Sequence, residues 1–363
     1  MATISDDEWG VIERLLPEGW EAAARDCGAF RRARYMTEPR SLLRLLLFHA
    51  VNGTGLRETV AQAKASGLAD MSQVALLKRL RSSGDWLAWI AQRLAQNLGG
   101  PPRLPEQLRP RAVDSTTVQG PGSRGIDWRI HYVMDLLSLN CTGFEVTDVH
   151  GGERLERTPM MAGDVLLADR NYLRATGVAA ARKADAHVVI RMRWTHPALL
   201  DKKGGRFDLM AKLRRWKVGR VGAWSVSLPQ KGGEPISARV IALRLPAPLA
   251  DKACARAEKQ SRKKGKVPDP RSLVAAQFVL LFTTLPDEVL GASDVLELYR
   301  CRWQIELAFK RMKQLLQLGN LPHQDRVVAR TWIMAKLVVA LLLETLVRNA
   351  RTLSPWGYRL STA

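Results

Sequence analysis

Hydrophobic positions recur with two different periods along this chain, and the change falls near residue 110. Before it the spacing is helical. Leu42, Leu43, Leu45, Leu46 and Leu47 make one helix apolar on nearly every side, which implies burial all round. Asn52-Gly53-Thr54-Gly55 marks a turn. Two short amphipathic helices follow, over 56–65 and 72–81, with Gly67 between them. This is helix-turn-helix spacing, and the second helix carries Lys78, Arg79 and Arg81, so its first turn suits a major groove. A helical hairpin with a solvated basic face fits the same pattern. Residues 1–100 thus read as mostly helical, and Gly99-Gly100-Pro101-Pro102 as a linker.

From Pro110 short strands are expected at Ala112-Val113, 128–137 and 144–149, then a buried strand at 165–168, a helix over 174–184 and a strand over 187–192. Three strands followed by strand, helix, strand is the order of an α/β domain with a mixed sheet. Residues 195–285 break this order. A hairpin of 221–228 and 236–245 turns around Gly232-Gly233, and 277–284 supplies a third strand, which predicts a β-rich insertion. Within it, 259–266 reads as a basic loop with no apolar face, either solvated or in contact with DNA. One long helix comes next, opened by a capping box of Asp294 with Glu297 and stopped at Gly319-Asn320. The remainder, 327–351, is helical and apolar.

Charge narrows the range of partners. The 363 residues carry 56 Lys+Arg against 35 Asp+Glu, a formal charge of +21. Such a field attracts polyanions, nucleic acid first and an anionic membrane second. Lys336 and Glu344 interrupt the most apolar late stretch, which is too short and too charged to span a bilayer. Cys27, Cys141, Cys254 and Cys301 are widely separated and form no C-x-x-C pair, so neither a zinc site nor a disulfide framework is expected. The acidic start, Ser5-Asp6-Asp7-Glu8, is unlike a signal peptide. A soluble cytoplasmic protein, with no membrane partner, fits these features.

Three acidic residues stand out. Asp114 follows a short apolar strand. Asp169 ends the run Val165-Leu166-Leu167-Ala168, where α/β sheets place their ligands. Glu306 lies on the long helix with Tyr299, Arg302 and Lys313, all within about 60° at 100° per residue, and Lys310 falls in the same sector. An apolar stripe of Leu298, Ile305, Phe309, Met312 and Leu316 lies roughly 90° away and faces the core. Turn-forming aspartates and ordinary i,i+4 ion pairs, Arg302 with Glu306 and Glu306 with Lys310, also fit these positions. A strongly positive sector holding a tyrosine beside an acid favours phosphate binding around a metal-bearing carboxylate. Three carboxylates from separate elements can hold two Mg²⁺ ions for phosphodiester chemistry. Among the 11 tryptophans, Trp303 is the best placed to stack on a flipped base.

Taken in order, Asp114-Ser115-Thr116, Asp169-Arg170-Asn171-Tyr172 and the Y-(2)-R-(3)-E-(6)-K spacing of Tyr299, Arg302, Glu306 and Lys313 resemble the DDE transposases of bacterial insertion sequences, in the Y-R-E-K group called the insertion-sequence-four family. The resemblance covers roughly residues 40–350. It implies an RNase H-like catalytic core interrupted by a β-rich insertion, with a helical N-terminal DNA-binding region. The corresponding domains are 1–100, 108–194, 195–285 and 286–363. Asp114, Asp169 and Glu306 would be catalytic metal ligands for two Mg²⁺ ions, with Mn²⁺ as a substitute. Tyr299, Arg302 and Lys313 would contact DNA, and Tyr172 would be a nearby structural or DNA contact. The expected partners are double-stranded DNA, both inverted-repeat element ends and target, and a second copy of the chain. Asn171 stands where family members often have a small residue, and the C-terminus is short for a separate dimerisation domain. The competing readings are a catalytically silent DNA-binding protein derived from a transposase, and an RNase H-like nuclease or resolvase.

Overall fold

Six helices precede the first strand: α1 (Asp6–Glu13), α2 (Trp20–Asp26), α3 (Pro39–Asn52), α4 (Leu56–Ala65), α5 (Gln73–Ser82) and α6 (Gly84–Asn97). The computed structural model describes residues 6–31, 36, 38–97, 107–123, 125–319 and 321–351, so the expected linker at 99–102 lies outside the described residues. The five leucines of α3 are buried, while the stripe of Ser41, Arg44 and Phe48 is only half-buried and Val51 is exposed, so burial is not complete all round. It ends at Gly53, whose φ of 64° is left-handed. Helix α5 starts at Ser72, whose hydroxyl accepts from the Ala75 amide.

The rest of the chain runs β1 (Arg109–Val118), β2 (Trp128–Asp135), β3 (Cys141–Asp148), β4 (Asp164–Ala168), α7 (Ala175–Lys183), β5 (His187–Arg191), α8 (Leu209–Arg214), β6 (Val221–Leu228), β7 (Ile236–Arg244), α9 (Ala247–Lys263), α10 (Pro270–Ala276), β8 (Phe278–Thr283), α11 (Ala292–Arg300), α12 (Trp303–Leu315) and α13 (Arg326–Arg351). All eight strands form one sheet, in the order β3-β2-β1-β4-β5-β8-β7-β6. The pairs β1–β4 and β4–β5 are parallel and the others antiparallel. The hairpin and third strand expected between 195 and 285 therefore extend the same sheet, and the turn at Gly232 has a φ of 73°.

Alternation along the strands divides the core into two layers. Ala112, Tyr132, Val165, Leu167 and Val189 pack on one face with Ile305, Phe309 and Met312 of α12 and with the α13 and N-terminal helices. Val113, Val133, Leu166, Ala168 and Val188 pack on the other with α7 and α8. Helix α13 packs against α3, α5 and α6, so the first and last segments of the chain share a core. Lys336 is only 1% exposed and lies 4.8 Å from the Trp332 ring centroid, a cation–π contact within the apolar helix. No helix among the described residues is long and apolar enough to cross a membrane.

Several sequence expectations need correction. Strand β1 is ten residues long, so Asp114 lies within it and does not follow it. The expected basic loop at 259–266 is helical through Lys263, as the last turns of α9. The single long helix is two, α11 and α12, joined by a tight turn in which the amides of Cys301, Arg302, Gln304 and Ile305 each bond the carbonyl three residues back. No Asp294–Glu297 capping box forms, because the N-cap of α11 is Gly291, three residues before Asp294, and Glu297 pairs with Arg300 at 3.0 Å. Helix α12 stops before Gly319, at Leu315, and Gln317 just beyond it has a left-handed φ of 51°; Asn320 lies outside the described residues.

A buried ion cluster fixes the start of the β1–β4 pair. Asp164, fully buried, receives Arg111 at 2.6 Å, Arg109 at 2.8 Å and the Met161 amide at 2.9 Å. Replacing it by alanine leaves the Arg111 guanidinium, 4% exposed, without its counter-ion. Asp164→Ala is expected to cost about 3–5 kcal/mol in urea unfolding; a loss below about 1 kcal/mol would show that the cluster is not structural.

Candidate active site

The parallel register of β1 and β4 pairs Val113 with Ala168. The next residues, Asp114 and Asp169, therefore lie side by side where β4 stops, about one strand spacing apart. Asp114 shares its strand face with Ala112, and Asp169 continues the face of Val165 and Leu167, so both turn toward the layer that holds α12. The Ser115 amide donates to Asp114 Oδ1 at 2.8 Å. Tyr299 donates its hydroxyl to the Ala168 carbonyl at 3.3 Å, which ties α11 to the residue before Asp169.

Arg302 stands between two of the three acids. Its Nη1 meets Asp114 Oδ2 at 3.1 Å and its Nη2 meets Glu306 Oε1 at 2.5 Å. The tight turn between α11 and α12 eclipses residues three apart, which sets this guanidinium 5.8 Å from the Tyr299 ring centroid. Glu306 is exposed, whereas Asp114 and Arg302 are mostly covered. Burial pushes the Asp114 carboxyl up to about 6; the Ser115 amide and Arg302 oppose that rise, and Glu153 and Asp169 add to it. Burial likewise raises the Tyr299 phenol to about 12.

A fourth acid belongs to this cluster and has no counterpart among the sequence expectations. Glu153 Oε1 accepts from the Ser115 hydroxyl at 2.8 Å and from Arg129 at 2.9 Å, and its Oε2 accepts from Asn171 at 2.9 Å. Arg193 donates to Asn171 Oδ1 at 3.0 Å. Glu153 enters through a close turn after β3, in which a side chain at Gly151 would collide with Thr147. Its partners lie 18 to 38 residues away in the chain, so no local periodicity marks it. The pair Gly151-Gly152 before an acid was the available signal.

The other expected residues divide. Lys310 and Lys313 are exposed on α12 beside Glu306, and Trp303 is 52% exposed. Tyr172 is buried at 1% in the layer opposite α12, a packing position. Lys78 is exposed on α5. Arg79 donates to the Ala29 carbonyl at 3.2 Å and lies over Phe30, and Arg81 binds Asp325 at 2.6 Å, so both also serve internal contacts. Asp114 and Asp169 are neighbours and Glu306 is linked to Asp114 through Arg302, yet no three side chains of ligand type close on one metal position among the described residues. All four cysteines are free.

Comparison with known proteins decides what this cluster belongs to. A family model described as "Transposase DDE domain" matches residues 105–342, a span that contains all three acids. The putative transposase InsL of insertion sequence element IS186A, from Escherichia coli K12, is 35% identical over 358 residues, covering 97% of each chain. The transposase of insertion sequence element IS421, also from Escherichia coli, is 35% identical over 359 residues with the same coverage. The chain belongs to the DDE transposases of bacterial insertion sequences. A solved structure, a piggyBac transposase synaptic complex with hairpin DNA, is similar at a TM-score of 0.48 and 9% identity, covering 97% of this chain and 75% of that one, a likeness too slight to carry an argument.

As a transposase the protein is an enzyme that cuts and joins DNA strands, and its Asp114 carries an electrostatic cost in the folded state. The folded value near 6 lies above the ordinary aspartate value of about 3.9. The folded protein therefore holds that proton more tightly than the unfolded chain does. The associated stabilisation is complete below about pH 4 and is lost as pH rises through 6. In the presence of a chelator, Asp114→Asn should make the transposase more stable at pH 7 by on the order of 2 kcal/mol, with no gain at pH 4. Equal urea midpoints for variant and parent at pH 7 would contradict this.

Proposed function

We propose that this transposase cleaves the ends of its insertion sequence and joins them to target DNA by cut-and-paste, with Asp114, Asp169 and Glu306 as the metal-holding carboxylates. The observation that carries this reading is the β1–β4 register, which sets Asp114 beside Asp169 on the face that α12 covers with Glu306. The order β3-β2-β1-β4-β5, with β1, β4 and β5 parallel and β2 and β3 antiparallel, supports an RNase H-like core.

The residues suit hard divalent cations. The donors are all carboxylate oxygens, which Mg²⁺ prefers and Mn²⁺ accepts. Asp114 is buried among negative neighbours and already calls for a cation, a place that Arg302 fills. Two bound ions would activate a water or a 3′-hydroxyl and stabilise charge on the leaving oxygen. Arg302, released from Asp114 and Glu306 when those carboxylates take a metal, would turn its planar fork to a phosphate. Lys310 and Lys313 extend that phosphate-binding face along α12. Tyr299 keeps α11 docked on the end of β4.

The helices of residues 1–100 form the proposed DNA-binding region, with Lys78 of α5 as a contact. Core segments 108–194 and 286–363 enclose the insertion 195–285, and two copies work together on paired ends. The pairing of both Arg79 and Arg81 within the chain favours a role for α5 through Lys78 and its backbone rather than through all three basic residues.

The decisive comparison uses a duplex carrying the element's terminal inverted repeat. With Mg²⁺ or Mn²⁺, Glu306→Gln should lower cleavage by about 10³-fold or more while binding stays within about threefold of the parent, and a chelator should abolish cleavage by the parent. Cleavage by Glu306→Gln at the parent's rate would sink the proposal, and tight end binding without cleavage under any metal would favour a silent DNA-binding protein. Trp303→Ala should impair end processing about 10-fold with less effect on binding, since stacking on an unpaired base is worth about 1–3 kcal/mol. Equal loss of both would remove Trp303 from the chemistry.

A further inference from the structure

Strand alternation puts two differently charged neighbourhoods on opposite faces of the sheet where β4 ends. Asp114 faces α12, while Ser115 and Arg129 share the opposite face with Val113 and Val133. On that second face an open cleft of about 470 Å³ lies beside the carboxylates. It is lined by Arg129, Arg170, Arg174, Arg193, Glu153 and Asn171, with His196 at its edge and Leu173 as its one apolar wall. Four guanidiniums therefore meet a single carboxylate.

The four arginines do different work. Arg129 is held by Glu153 at 2.9 Å and Arg193 by Asn171 at 3.0 Å. These contacts, with the Ser115 hydroxyl on Glu153, build a fixed polar floor that joins β1, β2, the turn after β3 and the segment after β4. Arg170 and Arg174 are exposed and have no carboxylate partner among the described residues. The floor consumes the one negative charge, and two guanidiniums remain over it. A cleft with so little apolar wall does not suit a small apolar ligand, and unpaired guanidiniums above a rigid floor suit the oxygens of a phosphodiester chain.

We infer that this cleft binds the backbone phosphates of the DNA segment that runs on from the reacting phosphate, on the face away from α12, with Arg170 and Arg174 as direct contacts. The inference rests on the proposed function, because it takes the reacting phosphate to lie at Asp114 and Asp169. Glu153 and Asn171 act as positioning residues that couple the cleft to Asp114 through Ser115. A strand crossing the end of β4 is thereby gripped on both sides, by Lys310 and Lys313 on one face and by Arg170 and Arg174 on the other. The segment so held is either the DNA flanking the element before cutting or the target DNA during joining, and the chemistry is the same for both.

The test compares the parent, the double variant Arg170→Ala/Arg174→Ala, and Lys231→Ala as a charge control in the β6–β7 turn. Two element-end duplexes are used, one flush at the cleavage position and one continuing into flanking sequence, with binding measured by anisotropy in a chelator. The double variant should lose about 10-fold in affinity for the flanked duplex and less than about twofold for the flush one. Its log K against log salt slope on the flanked duplex should be shallower by about 2. If both duplexes bind as to the parent, but joining of flush ends into a plasmid falls about 10-fold, the cleft holds target DNA and the inference stands. Equal loss on flush and flanked duplexes, or unchanged binding to both together with joining no worse than with Lys231→Ala, overturns it. Because binding is read without cleavage, a parent that binds both duplexes but never cuts would refute the proposed function and leave this inference to its own result.

Discussion

Parallel pairing of β1 with β4 is the constraint on which the rest of the site depends. A parallel register has no hairpin to set it, so it must be fixed by what lies at its ends. Here the Asp164 cluster with Arg109 and Arg111 fixes the start, and the apolar run 165–168, buried on both faces, fixes the middle. A slip of one residue would turn Asp114 into the opposite layer and bring Val113 to the α12 face. The acids are therefore positioned by the most buried part of the sheet, while the elements that carry the cations, α12 and the segment after β4, lie at its margin.

Electrostatics explains why the margin is so basic. Asp114, Asp169, Glu153 and Glu306 gather several negative charges in a space partly screened from water, and burial, with Glu153 and Asp169 adding to it, holds Asp114 above the ordinary carboxylate range. Arg302 answers two of these charges and Arg129 a third. One guanidinium shared by two carboxylates is a neutralising arrangement that a polyanion and divalent ions can replace without leaving either acid unpaired. The overall charge of +21 is thus the far-field counterpart of a locally acidic centre.

The parts legible in the sequence were those with a strong period or a rigid punctuator. The leucines of α3, the run at 165–168, the hairpin at Gly232 and the core-facing stripe of Ile305, Phe309 and Met312 all follow from spacing alone, because burial selects for them directly. What was not legible depends on long-range pairing. Strand β1 extends past Asp114 because β2 pairs with its polar half, which no apolar run announces. The split between α11 and α12 leaves no Gly or Pro in the sequence, since a three-residue turn tolerates Cys301 and Arg302 at ordinary helical angles. Residues 259–263 form helix despite lacking an apolar face, since α9 needs only one side against α10. Glu153 was marked only by the Gly151-Gly152 pair before it, because its role is fixed by partners on three other elements.

Helix α13 has a consequence for how the protein is made. Helices α3, α5 and α6 bury their apolar faces against it, yet it is translated more than two hundred residues after them. On the ribosome the leucines of α3 must wait through more than two hundred residues of synthesis before their partner emerges. Until then the N-terminal helices present an incomplete apolar surface. A chain interrupted anywhere before residue 326 thus lacks both α13 and a finished N-terminal region, so the order of synthesis itself withholds that region's core until α13 has been made.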